Sequence, residues 1–96
     1  MSYDVNDPAG FESLTEVEQM QLLDWINKNF IRIQTFNTKK SSYYIKHLFE
    51  KSHFYVTNGQ FKGAMLKADF KVKNPDSDNW YFNISMRSPA FKNDND

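Results

Sequence analysis

The chain predicts an α+β domain built from three helices, a short strand and a C-terminal β-hairpin. Three observations carry that expectation. Apolar residues recur at three- and four-residue spacing in three stretches, each preceded by a capping residue. The spacing changes to two after Asp69, and a Pro/Asp/Asn cluster at 74–79 separates the two alternating segments.

Thr15 and Glu18 have the capping-box pattern, and Val17, Met20, Leu23, Ile26 and Phe30 follow as one stripe widened by Leu22 and Trp25. This predicts a first helix over 15–29, with acids in its first turn and Lys28 near its end. FIRIQTF (30–36) is β-branched and aromatic and predicts a strand near 31–36. After a polar loop, Ser41 or Ser42 caps a second helix over 42–52 that buries Ile45, Leu48 and Phe49. Asn58 is the expected cap of a third helix over 59–69. Phe61, Ala64, Met65 and Ala68 form its inner face, and Gly59, Gln60, Lys62, Gly63, Leu66 and Lys67 its outer arc. Phe70 and Val72 alternate with Lys71 and Lys73, and Trp80, Phe82, Ile84 and Met86 alternate with Tyr81, Asn83 and Ser85. These segments are expected to pair as a hairpin that packs Trp80, Phe82 and Ile84 on Ile45, Leu48, Phe61 and Met65. The order of elements is that of a winged helix-turn-helix, with the third helix in the recognition position. The expected boundaries are a flexible tail over 1–13, the domain over 14–88 and a polar tail over 89–96.

Ninety-six residues without cysteine make one small domain with neither a disulfide framework nor a thiolate metal site. No apolar run approaches the length that spans a bilayer, so a soluble, cytoplasmic protein with no membrane partner is expected. The net charge is zero, but residues 1–27 carry −6, residues 28–73 carry +8 and residues 74–96 carry −2. A basic middle of this kind suits a polyanionic partner, while the acidic ends oppose tight autonomous DNA binding.

Catalysis finds little support. His47 and His53 are the only histidines, and the carboxylate pairs Glu16/Glu18 and Asp76/Asp78 fall at a helix start and a turn tip. A non-enzyme without cofactors is expected. His47 and Glu50 share a helical face at i, i+3, yet with His53 they make too weak a donor set for a metal site. The expected binding residues are Gln60, Lys62, Gly63 and Lys67 on the outer arc of the third helix, flanked by Lys39, Lys40, Lys71 and Lys73 as phosphate contacts. Tyr81 and Tyr55 are the aromatics expected at the surface, and position 63 is expected to tolerate an arginine without unfolding.

The stretch SSYYIKHLFEKSHFYVTNGQFKGAMLKADFKV (41–72) and NWYFNIS (79–85), with NKNFIRIQTFN (27–37) before them, resemble small winged-helix-like proteins of phages, prophages and mobile elements of Gram-positive bacteria. The block YVTNGQFKGAML (55–66) carries most of the likeness. That family commonly has glycine where Tyr44 stands and ends the third helix in AGF, where this chain has Ala68-Asp69-Phe70. The resemblance implies a phage or mobile-element accessory protein, with an anti-CRISPR inhibitor of a type II CRISPR effector nuclease as the leading expectation. Its partner would be a host CRISPR effector nucleoprotein, met by a monomer in the bacterial cytoplasm, with either the basic face gripping guide RNA or displaced DNA or the acidic first helix occupying a basic DNA channel by charge mimicry. The alternative it implies is a DNA-binding regulator of phage or mobile-element genes.

Overall fold

A computed structural model describes residues 4–92; residues 1–3 and 93–96, parts of the two expected tails, lie outside the described residues. The described residues form a 3₁₀ helix (Pro8–Ser13) and four α-helices: α1 (Glu16–Asn29), α2 (Ser42–Glu50), α3 (Asn58–Lys67) and α4 (Pro89–Lys92). α3 lies at the centre and touches the 3₁₀ helix, α1 and α2, while α4 closes against α1.

The helix starts follow their capping chemistry. The Glu18 amide donates to Thr15 Oγ1 at 3.1 Å and the Thr15 amide to Glu18 Oε1 at 2.9 Å, completing the expected box. Ser41 caps α2 by accepting from the Tyr44 amide. On α3 the cap is Thr57, one residue before the expected Asn58, because Gln60 answers it across a second capping box. α3 ends in a Schellman motif: the Phe70 amide donates to Met65 O and the Asp69 amide to Leu66 O. Asp69 takes the left-handed position at φ 71°, where glycine is the usual choice and an acidic side chain is tolerated.

Ile45, Leu48 and Phe49 of α2 and Phe61, Ala64, Met65 and Ala68 after Thr57 enter one core with Trp80, Phe82 and Ile84. The first helix departs from its expected stripe. Leu22 and Ile26 are buried, whereas Val17 and Met20 are 63% and 67% exposed. At 100° per residue these two sit roughly 140–160° round the helix from Leu22, so they cannot share its face.

The expected α+β winged helix is not formed. Among the described residues there is no strand or sheet, only the isolated antiparallel bridges Arg32↔Ile84, Ser41↔Tyr81 and Val72↔Phe82. Side chains occupy the places where ladder bonds would run. Asn83 is buried between its two neighbours, accepting from the Lys71 amide at Oδ1 and donating from Nδ2 to Ile33 O. Asn74 Oδ1 takes the Tyr81 amide, Ser42 Oγ the Trp80 amide and Ser88 Oγ the Ile31 amide. Each such bond satisfies one backbone group while interrupting the regular pairing on which a strand depends.

Two further corrections concern the ends. Pro8–Ser13, expected within a flexible tail, is held on α3: the Gly59 amide donates to Val5 O at 2.7 Å, and Phe11 enters the core. At the other end Ala90 and Phe91 of α4 are buried in that core, inside the segment expected as a polar tail.

Asn58 ties these parts together from a buried position. Its Nδ2 shares two protons among Asn6 Oδ1, Asp78 O and Asn79 Oδ1 at 2.9–3.1 Å, and its Oδ1 accepts from Ser42 Oγ. Asn58→Ala leaves the buried Ser42 hydroxyl without its acceptor and releases the 78–79 backbone. It should cost about 2–3 kcal/mol, given about 1–3 kcal/mol per orphaned buried group. Urea unfolding of the variant tests this, and a midpoint equal to that of the parent would contradict it.

Candidate binding face

The nine expected binding residues divide into two groups that the fold treats in opposite ways. On α3 the first part of the outer arc, from Gly59 to Gly63, is covered, while Leu66 and Lys67 remain exposed. Lys62 is 2% exposed, with Nζ donating to Asp78 O at 2.9 Å and lying 4.4 Å from the Trp80 ring centroid. Burial pushes its pKa below the ordinary lysine value, and the Asp78, Asp4 and Asp7 carboxylates pull the other way. Gly63 is buried under the 3₁₀ helix, where a Cβ would overlap the Pro8 carbonyl oxygen and Phe11 Cβ. A Cβ on Gly59 would meet the Asp7 backbone in the same way. Gln60 is occupied by its capping box and by Ser13 Oγ, and Lys67 reaches Glu12 at 3.8 Å. Lys67 alone of the four expected residues stays exposed, beside a groove formed with the 3₁₀ helix, so α3 does not present the expected row of side chains, and position 63 has no room for an arginine.

Lys39, Lys40, Lys71, Lys73 and Tyr81 are brought together instead. The segment 80–85 lies between 71–73 on one side and 31–41 on the other: the Lys73 amide donates to Tyr81 O, and Ser41 bridges Tyr81 from the opposite edge. Val72 and Phe82 face each other toward the core, so Lys71, Lys73 and Tyr81 belong to the outward side of the alternation. Lys39, Lys71 and Lys73 are exposed, and their ammonium groups have neither an ion pair nor a hydrogen bond among the described residues. Lys40 stands 4.2 Å from the Tyr44 ring centroid. The other basic groups with a described partner are held elsewhere. Lys28 pairs with Asp24, Lys46 with Glu50, and Arg32 lies over Phe70 while donating to Asn27 Oδ1 and to the Ala68 carbonyl.

Sequence reasoning missed the apolar part of the same face. Ile31, Ile33, Phe36 and Met86 are all more than a third exposed, and Ile33, Phe36 and Met86 line a groove of about 210 Å³ with Lys39 at its rim. The signal was present in IRIQTF, whose apolar residues exceed what a small core with eighteen buried members accommodates.

A second cluster lies at the end of α2. Lys46, 3% exposed, donates to Glu50 Oε2 at 2.9 Å with the Tyr43 and Tyr55 rings at 5.2 and 4.9 Å, and both rings are exposed. Glu50 Oε2 also accepts from the Val56 amide, and Oε1 meets His47 Nδ1 at 2.8 Å. Burial raises the Glu50 pKa, but the bonds from Lys46, Val56 and His47 outweigh it and leave the carboxyl below its ordinary value. Glu50 is thus a structural clasp between α2 and the 51–56 connection. Among the described residues no three His, Cys, Asp or Glu side chains gather to hold a metal ion.

No family model matches the chain, and no curated protein or solved structure matches it either.

Two measurements check this division. Gly63→Ala should destabilise the protein by about 1–3 kcal/mol or more, since the methyl must displace backbone; an unchanged melting temperature would show that the 3₁₀ helix does not hold that position. For Glu50, a folded-state pKa below the unfolded one gives stability that is present above about pH 4.5 and lost as pH falls through the folded value. Glu50→Gln strands the buried Lys46 ammonium and should cost about 3 kcal/mol or more at pH 7. That deficit against the parent should shrink below pH 4.5, where the parent carboxyl protonates. A deficit independent of pH would overturn the assignment.

Proposed function

We propose that the protein acts by binding rather than by catalysis, as a phage or mobile-element accessory protein that inhibits a type II CRISPR effector nuclease by docking on its nucleoprotein. Tyr81 and the lysines around it form the contact. One observation supports this reading above the others: Lys39, Lys71 and Lys73, which lack partners among the described residues, stand on the two segments that flank Tyr81. Unpaired ammonium groups beside an aromatic ring suit a phosphate backbone with an unstacked base. The adjoining aliphatic residues suit a protein surface at the same site. A nucleoprotein offers both. The choice of effector comes from the resemblance of residues 41–72 and 79–85.

Regulation by duplex reading through α3 is the weaker reading, because Lys62 and Gly63 are buried and Gln60 is engaged in its cap.

The test is cleavage by guide-loaded type II effectors in the presence of excess protein. The parent should inhibit, and Lys71→Glu/Lys73→Glu and Tyr81→Ala should each weaken inhibition by tenfold or more while the melting temperature is retained. Binding should also fall as salt rises. Undiminished cleavage by several effectors with the parent, or full inhibition by the double charge reversal, would overturn the proposal.

A further inference from the structure

Among the apolar groups that the described residues leave in contact with solvent, two patches have charged surroundings of opposite sign. On α1, Val17 and Met20 stand one turn apart and largely exposed, next to Glu16 and with Asp24 a turn further on. The second patch is the groove lined by Ile33, Phe36 and Met86, with Lys39 at its rim and Lys71 and Lys73 on the neighbouring segment. We propose that a second copy of this chain covers the groove, with Met20 and Val17 of one copy seated against Ile33, Phe36 and Met86 of the next.

Charge complementarity selects this occupant. The stripe on α1 belongs to the −6 portion of the chain and the groove to the +8 portion and its border. Glu16, with Asp24 already paired to Lys28, would therefore arrive at Lys39, with Lys71 and Lys73 one segment beyond. A net charge of zero removes the overall repulsion that ordinarily keeps copies apart. The groove has room for an unbranched side chain such as methionine, which adapts to irregular surfaces. Because the two patches are different surfaces, the contact is head-to-tail: every copy that fills a groove leaves its own groove open, and assembly continues beyond a dimer into a ring or chain. This inference uses part of the proposed docking face but does not rest on the effector reading. Its experiment contains the protein alone, so failure of either one leaves the other standing.

Sedimentation velocity from micromolar to near-millimolar protein, at low and high salt, reads the outcome. The parent should pass from monomer to species larger than dimer as concentration rises at low salt, and return toward monomer at high salt. Met20→Lys, on the helix stripe, and Lys39→Glu, on the groove rim, change exposed residues and should each remain monomeric with an unchanged melting temperature. Mixed in equal amounts, they should give dimers and nothing larger, since one pair of intact patches survives. A parent that stays monomeric throughout at low salt, a Met20→Lys variant that still assembles, or a mixture that stays monomeric would each overturn the proposal.

Discussion

The buried amide of Asn58 is the constraint on which the rest of the structure depends. Three separate pieces of chain (the N-terminal segment at Asn6, the start of α2 at Ser42 and the loop at 78–79) converge on it, at the start of α3, by hydrogen bonds of 2.9–3.1 Å. Ser42 extends the hub: its amide donates to Trp80 O while its hydroxyl accepts from the Trp80 amide. Asp78 O accepts from both Asn58 and Lys62, and the Trp80 ring covers the Lys62 ammonium. In a low-dielectric interior each of these groups is costly unless all are satisfied together. Among the described residues no buried side-chain nitrogen or oxygen lacks a partner. A core of aromatic and aliphatic residues could repack in several ways, but a satisfied polar network has few alternative geometries. Asn58 therefore sets where the 74–80 loop lies, and that loop sets where Tyr81 emerges.

The same preference for side-chain bonding explains why alternation at 70–86 does not become a sheet. Period-two burial of Trp80, Phe82 and Ile84 is real, and it places these residues in the core. Asn83, Asn74, Ser42 and Ser88 then take backbone amides that neighbouring strands would have used. Extended conformation and regular pairing are separate properties, and only the first is encoded by alternation.

Much of the helical framework was legible because it rests on short-range rules. The capping box at Thr15 and the buried faces of α2 and α3 follow from residues within a few positions of one another, whereas the third helix, expected to run through Asp69, ends at Lys67 with Asp69 left-handed. The misplaced face of α1 shows the limit of periodicity. Two stripes of apolar residues compete on that helix, and tertiary partners decide for Leu22 and Ile26. The candidate site was half legible. Lys39, Lys40, Lys71, Lys73 and Tyr81 meet through bridges between distant segments, yet their basic and aromatic character had already marked them. The arc of α3 was misread because Gly59 and Gly63, four residues apart, signal close approach without saying of what; the answer is the Asp7–Pro8 backbone of the same chain. Lys62 was misread because a lysine can bury its stem and end on a carbonyl and a ring.

Counting basic residues thus overstates the positive charge free for a partner, and pairing them off leaves Lys39, Lys71 and Lys73 exposed without a described partner. Asp24 and Glu50 neutralise Lys28 and Lys46, Glu12 from the 3₁₀ helix meets Lys67, and Lys62 is buried against Asp78 O. The acidic N-terminal portion that cancels the net charge does part of its work on α3, away from Tyr81. In a molecule of 38 × 29 × 23 Å, charges on opposite faces lie farther apart than the Debye length of about 8 Å at physiological ionic strength. A partner approaching the 39–41 and 71–73 segments meets the charges of Lys39, Lys71 and Lys73, tempered by the exposed Asp76 and Asp78 in the turn between Lys73 and Tyr81 but little by carboxylates beyond that distance. Electrical neutrality of the whole chain and a basic face at Tyr81 are compatible for that reason.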